Sequence, residues 1–262
     1  VQQGPVVLQP GKRLRPQEIG MLAALGQLRV SVIRRPRVAI LGTGDEVVPP
    51  DRTPGPSQIR DANSHTVAAQ VRRYGAVPLL LGVAHDEEEL VRQGIRRAVE
   101  GGADFIITSG GVSVGDFDLV QQVMDAGGQM HFWSLNMKPG RPMAFGDVGG
   151  VPLLGLPGNP VAAMISTRLY ARPALLKMQG HRAWPERTIT ARLAEPIGRK
   201  DGRRHYLRVR LRDTAEGPEA ELTGDQGSGI LNSLVQADGL AIIPEDARHL
   251  PTGSSVKVIL LN

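Results

Sequence analysis

The sequence predicts an α/β fold, a three-layer parallel-type sheet with helices on both faces, followed by a small all-β barrel-like domain. Three observations predict it. From Arg37 to Gln179, short apolar runs alternate with stretches of helical period, the rhythm of a parallel sheet covered on both faces. The loops of that stretch that are rich in glycine, hydroxyl or charged side chains all follow strands, and ligands of such sheets bind beyond the carboxyl ends of the strands. After Gly180-His181 the rhythm gives way to short runs separated by turns such as Asp201-Gly202, Glu216-Gly217-Pro218 and Thr252-Gly253.

Taken in order, residues 1–35 hold too little apolar material for a core of their own. Val6-Val7-Leu8 and residues 28–33 have strand character, and Pro16 suits the first turn of a short helix ending near Gly26. The opening Val1-Gln2-Gln3-Gly4-Pro5 has no initiator methionine and no signal-peptide pattern, and it is expected to be the middle of a longer chain. Val38-Ala39-Ile40-Leu41 is the first sheet strand. Asp61 or Asn63 caps a helix that runs to about Tyr74 and is closed by Gly75. Residues 76–83 form the second strand, and Asp86 is the natural N-cap of the next helix, with Glu87, Glu88 and Glu89 in its first turn. Phe105-Ile106-Ile107 is a third, buried strand, and a helix from about Phe117 to Ala126 follows it. Residues 129–136 and 151–154 are the fourth and fifth strands, and a long helix runs from Pro160 to about Gln179. The barrel-like part has strands at 187–195, 204–212, 218–223, 239–243 and 255–261, with no long helix. The expected division is 1–35, 36–180 and 181–262.

Composition narrows the functional classes. A 3% aromatic content argues against a base-stacking nucleic-acid binder, so no nucleic-acid partner is expected. The formal charge of +5 fits an anionic small molecule but selects no partner alone. There is no cysteine, which excludes disulfides, thiolate nucleophiles and Cys-ligated zinc and is compatible with a cytoplasmic setting. No run of 18 apolar residues exists, so no membrane span is expected.

Five loops carry candidate chemistry. In Thr43-Gly44-Asp45-Glu46, either carboxylate could ligate magnesium or order water, or the segment is a plain turn. In the loop from Ser109 through Gly110, Gly111, Ser113, Gly115 and Asp116 to Asp118, hydroxyls and glycine amides could hold phosphate and the two aspartates a cation. The alternative is a glycine-rich turn with Asp116 as helix cap. Neither a Walker A motif nor a dinucleotide fingerprint is present. Lys138-Pro139-Gly140-Arg141-Pro142 turns two cations toward one ligand or forms a basic hairpin. Pro157-Gly158-Asn159-Pro160 is a stiff helix entry suited to a pocket rim. Gly227-Ser228-Gly229-Ile230-Leu231-Asn232-Ser233 is rich in small hydroxyl and amide groups.

The set Thr43-Gly44-Asp45-Glu46, Asp61-Ala62-Asn63, Ser109-Gly110-Gly111-Val112-Ser113-Val114-Gly115-Asp116-Phe117-Asp118, Lys138-Pro139-Gly140-Arg141-Pro142 and Leu156-Pro157-Gly158-Asn159-Pro160 closely resembles the molybdopterin molybdenumtransferase family, whose animal relative is the C-terminal region of gephyrin. The resemblance covers essentially the whole chain. Residues 37–180 look like the molybdopterin-binding domain, 181–262 like the C-terminal β domain, and 1–35 like the tail of an N-terminal region. It implies a homodimer that binds adenylylated molybdopterin and molybdate with magnesium, releases AMP and hands molybdenum to the dithiolene. It implies Glu46, Asp86 and Asp118 at the metal and phosphoanhydride, and Lys138 on molybdate or a ligand phosphate. It further implies Pro157 and Pro160 shaping the molybdate side, and the Ser228 hydroxyl in the same cleft. Asp118 is preferred to Asp116 as metal ligand. Ser134 stands where the family often has a second lysine. The rivals are the sister adenylyltransferase, a competence/damage-inducible type of protein, and a non-catalytic pterin-binding or scaffold module.

Overall fold

The computed structural model describes residues 4, 6–110, 128–198 and 201–261. The expected helix at 117–126 and the candidates Gly111, Ser113, Gly115, Asp116 and Asp118 lie outside them. Helix α1 (Pro16–Ala24) opens on Pro16, and the Glu18 carboxylate reaches back to accept from the Arg15 backbone N–H at 2.9 Å. The strands expected at 6–8 and 28–33 are not formed. Val6, Leu28, Val30 and Val32 are exposed, and their alternation finds no neighbouring strand among the described residues.

The sheet begins at β1 (Arg37–Thr43), and a small parallel pair of β2 (Val47–Val48) and β3 (Ile59–Arg60) stands beyond its end. Helix α2 (Asn63–Arg73) follows, with the Asp61 Oδ1 accepting from the Ser64 N–H at 2.9 Å. Asp61 therefore caps from one position upstream of Ala62, the residue at the N-cap. Then come β4 (Val77–Ala84) and α3 (Glu88–Glu100). Glu87, not Asp86, occupies the N-cap of α3, because Asp86 is engaged with the Asp45 loop. Strand β5 (Phe105–Ser109) is buried along its whole length.

The second half of the parallel-type sheet includes antiparallel neighbours. Strands β6 (Gly128–Ser134), β7 (Met137–Lys138), β8 (Pro142–Val148) and β9 (Val151–Leu156) follow in sequence. The sheet order is β4-β1-β5-β9-β8-β6. The first four strands are parallel, while β8 runs antiparallel to both β9 and β6. Strand β8 was not expected. Its sequence opens on a proline and carries Gly146 and Asp147, both poor strand formers.

The expected long helix is interrupted. It runs as α4 (Pro160–Ser166), a π-helical stretch (Thr167–Ala171) and α5 (Arg172–Met178). Pro173 lacks the N–H that a continuous α-helix would use there. Alternate residues of β1 feed two cores. Val38 and Ile40 pack with Val67 and Val71 of α2 and with Leu175, whereas Ala39 and Leu41 pack with Val91 and Ile95 of α3.

The C-terminal part contains β10 (Thr188–Leu193), β11 (Ile197–Gly198), β12 (Arg204–Thr214), β13 (Gly217–Leu222), the single-turn α6 (Asn232–Val235), β14 (Gly239–Ile243), β15 (His249–Leu250) and β16 (Ser255–Leu260). The order β13-β10-β16-β14-β12 closes on itself through β12–β13 pairing, forming a five-stranded barrel. The barrel is joined to the sheet by hydrogen bonds as well as by packing. Strand β7 pairs parallel with β12, and Met137, Val161 and Ile165 bury against Tyr206, Leu234 and Ile259. No helix among the described residues is long and apolar enough to cross a membrane.

Candidate functional site

Three parallel strands, β1, β5 and β9, end side by side. Their last residues are Thr43, Ser109 and Leu156. Asn63, in the first turn of α2, joins two of these ends. Its Nδ2 donates to Ser109 Oγ at 2.8 Å and to the Gly158 carbonyl at 2.7 Å. Gly110 turns away with φ +98°, and its N–H reaches the Leu156 carbonyl at 3.3 Å. A Cβ at Gly110 would lie 2.2 Å from the Thr43 carbonyl oxygen, so only glycine fits. Gly158 approaches the same point, its hypothetical Cβ 3.6 Å from Gly110 Cα. Thr43 is 2% exposed, and its hydroxyl has no hydrogen-bond partner among the described residues.

The acidic loops lie at the neighbouring ends of β1 and β4. Asp45 and Asp86 exchange bonds: Asp45 N–H donates to Asp86 Oδ2 at 3.3 Å, and Asp86 N–H donates to Asp45 Oδ1 at 3.1 Å. His85 Nδ1 stands 3.1 Å from the same Asp45 oxygen. The Asp86 amide first, and then His85, hold the Asp45 carboxyl below its ordinary value. Gly44, at φ +136°, lies under the Glu46 carboxylate, and a Cβ there would meet Glu46 Oε2 at 2.7 Å. Glu46 is exposed and Asp86 half-buried. Among the described residues no three His, Asp or Glu side chains group as a metal site. Glu46 and Asp86 are nonetheless hard oxygen donors in the loops that follow the paired strands β1 and β4, a donor type that suits magnesium.

A cleft of about 790 Å³ opens where sheet and barrel meet. Lys138, Arg141, Pro157 and Asn159 line it from the sheet side, and His205, Arg208 and Ser228 from the barrel side. Arg141 and Arg203 also line an adjoining recess with Ser134 and Asp201. The Lys138-Pro139 peptide is cis, and Gly140 (φ +101°) passes close to Ser166. Pro160 sits in the first turn of α4, with Asn159 at the N-cap. Ser228 touches this helix start through its backbone: its carbonyl accepts from the Val161 N–H at 3.1 Å.

Thr43, Gly44, Asp45, Glu46, Asn63, Asp86, Ser109, Gly110 and Gly158 thus lie along the strand ends, while Lys138, Arg141, Pro157, Asn159 and Ser228 line the seam cleft. The Asn63–Gly158 bond connects the two groups.

Sequence reasoning missed Arg208, which is completely buried. Its guanidinium donates to the carbonyls of Asp225, Gln226 and Gly227 at 3.0–3.2 Å, and its Nε donates to Ser233 Oγ at 2.9 Å. It clasps both ends of the loop carrying Ser228. Burial pulls its pKa down, and the nearby Asp225 charge works against that. Nothing in the sequence separates it from Arg210, two residues on and on the same face of the strand by alternation.

Comparison with known proteins follows the same two parts. The family model described as "probable molybdopterin binding domain" matches residues 39–177, and "MoeA C-terminal region (domain IV)" matches residues 190–261. The chain is 32% identical over 263 residues to molybdopterin molybdenumtransferase of Haemophilus influenzae, covering 98% of this chain and 64% of the relative. It is 34% identical over 267 residues to the Nostoc protein of the same name, covering 99% of this chain and 61% of the relative. A crystal structure of the molybdopterin biosynthesis MoeA protein of Pyrococcus horikoshii superposes with a TM-score of 0.83 at 32% identity, covering 97% of this chain and 62% of that one. The chain spans less than two thirds of the length of these relatives. Two matching domains in the same order, on the fold described above, carry the conclusion that this chain belongs to the molybdopterin molybdenumtransferase (MoeA) family.

Proposed function

We propose that this chain acts in molybdenum cofactor biosynthesis, inserting molybdate into adenylylated molybdopterin with cleavage of the phosphoanhydride and release of AMP. The observation that carries this reading is the seam cleft. Cations from a sheet loop, Lys138 and Arg141, face a barrel wall that brings Arg208 and Ser228, beside the strand ends where Asn63 meets Ser109. Residues 36–180 hold the pterin, 181–262 close the cleft, and 1–35 belong to an N-terminal region.

Ser109 and Gly110, with Gly111, Ser113 and Gly115, offer hydroxyls and amides to the phosphate of the ligand. Thr43, Gly44, Asp45 and Asn63 fix the rim beside that loop. Glu46, Asp86 and Asp118 would hold magnesium, which supplies neutralising charge at the phosphoanhydride. Lys138 and Arg141 draw the oxyanion, and Pro157, Gly158, Asn159 and Pro160 form the rigid side of its pocket. Ser228 adds a hydroxyl from the barrel. The dithiolene sulfurs belong to the ligand, so a chain without cysteine meets the chemistry. The working form is a cytoplasmic homodimer.

The test is a paired incubation. Adenylylated molybdopterin, molybdate and magnesium are expected to yield AMP. Adenylylation of free molybdopterin by ATP would assign the chain to the sister adenylyltransferase instead. Tight pterin binding without AMP release would make it a binding module.

A further inference from the structure

Asp201 stands where barrel and sheet are stitched together. Strand β12 pairs with β7 so that His205 lies opposite Lys138. The Arg204 N–H donates to the Asn136 carbonyl at 3.1 Å, and Asn136 Nδ2 donates to the Gly202 carbonyl at 3.2 Å. The turn carrying Asp201 is thereby fixed against the cationic loop. Within it, His205 Nε2 lies 2.9 Å from both Asp201 oxygens. A carboxylate only accepts, so that nitrogen carries the proton. The Arg203 N–H reaches Oδ1 at 3.4 Å, and Lys138 Nζ stands 3.8 Å from Oδ2. Burial works to raise the Asp201 carboxyl, but the His205 bond and charge, the Arg203 amide and Lys138 together bring it below its ordinary value.

We propose that Asp201 is the counter-ion that sets the oxyanion affinity of the cleft: it holds the Lys138 ammonium from the barrel side and gives it up when a tetraoxoanion enters. This rests on the reading of Lys138 as an anion-binding residue. Three features carry it. The Lys138 side chain is 57% exposed and that of Asp201 28%, and an ion pair so near water is weak, so a dianion can displace it. Asp201 keeps His205 and the Arg203 amide after the exchange, so its charge is not left bare. Its recess shares Arg141 and Arg203 with the cleft, so its negative charge bears directly on an incoming anion.

The experiment is a calorimetric titration of molybdate into the chain at low ionic strength, with and without adenylylated molybdopterin. Wild type, Asp201→Asn, Lys138→Gln and the double variant are compared. Asparagine is isosteric and keeps the contact with His205. Asp201→Asn is expected to tighten molybdate about fivefold, with the gain fading in high salt and absent in the double variant. Equal or weaker binding by Asp201→Asn, or a gain that survives in the Lys138→Gln background, would overturn the inference while leaving the cleft reading intact. Absence of molybdate binding to wild type under both conditions would overturn that reading and the inference with it.

Discussion

Asn63 Nδ2 sits 2.8 Å from Ser109 Oγ, and the same amide nitrogen reaches the Gly158 carbonyl. One side chain at the start of α2 thus sets the spacing between the end of β5 and the turn before α4. Asn63→Ala removes both bonds. A loss of about 1–2 kcal/mol is expected from urea denaturation, together with weaker binding of adenylylated molybdopterin. Unchanged binding would separate Asn63 from the ligand side of the strand ends.

Gly110→Ala is expected to be more damaging than its size suggests. The residue holds a positive φ, and the added methyl would lie 2.2 Å from a backbone oxygen rather than a side chain that could move. A destabilisation of about 2 kcal/mol or more is expected in the same denaturation experiment.

Arg208→Met keeps volume and removes the guanidinium. The carbonyls of Asp225, Gln226 and Gly227 then lose their donor inside the barrel wall. The expected cost is about 3 kcal/mol, with faster amide exchange across residues 225–233. A melting temperature equal to that of wild type would mean that the clasp contributes nothing.

The βα rhythm up to Ser109 and the five barrel strands were legible because each is a short apolar run between turn residues. The misses share a cause, which is that a partner elsewhere in the chain decided the local structure. Residues 28–33 alternate like a strand but meet no strand among the described residues, so the alternation is idle. Pro142–Val148 reads poorly as a strand, yet β9 and β6 take it up from both sides. Asp86 has the right place and chemistry for an N-cap, and Asp45 claims it. Of the site, the loops were legible as loops that follow strands. The seam was not, because the pairing of β7 with β12 joins residues 67 positions apart that no local pattern links.

Acid is expected to loosen α1 through Glu18. The Arg15 side-chain bond holds Glu18 down to about 2 from 4.5, against the opposing effect of burial. A carboxyl depressed in the folded state adds stability above its unfolded value and loses it as pH falls through the folded one. Amide exchange over residues 16–24 is therefore expected to speed up between about pH 4.5 and 2. Glu18→Gln is expected to abolish that pH dependence.

Glu46→Gln alters an exposed side chain, so the melting temperature is expected to hold, corresponding to a change within about 0.5 kcal/mol. AMP release is expected to be lost. The same split is expected for Asp118→Asn. Full activity in either variant would reassign the acidic residues.

The most direct test of the proposed reaction is the initial rate of AMP release from adenylylated molybdopterin, measured against molybdate concentration with magnesium present. The account predicts a rate that rises from near zero and saturates with molybdate. A rate independent of molybdate, or no AMP at any concentration, would contradict it.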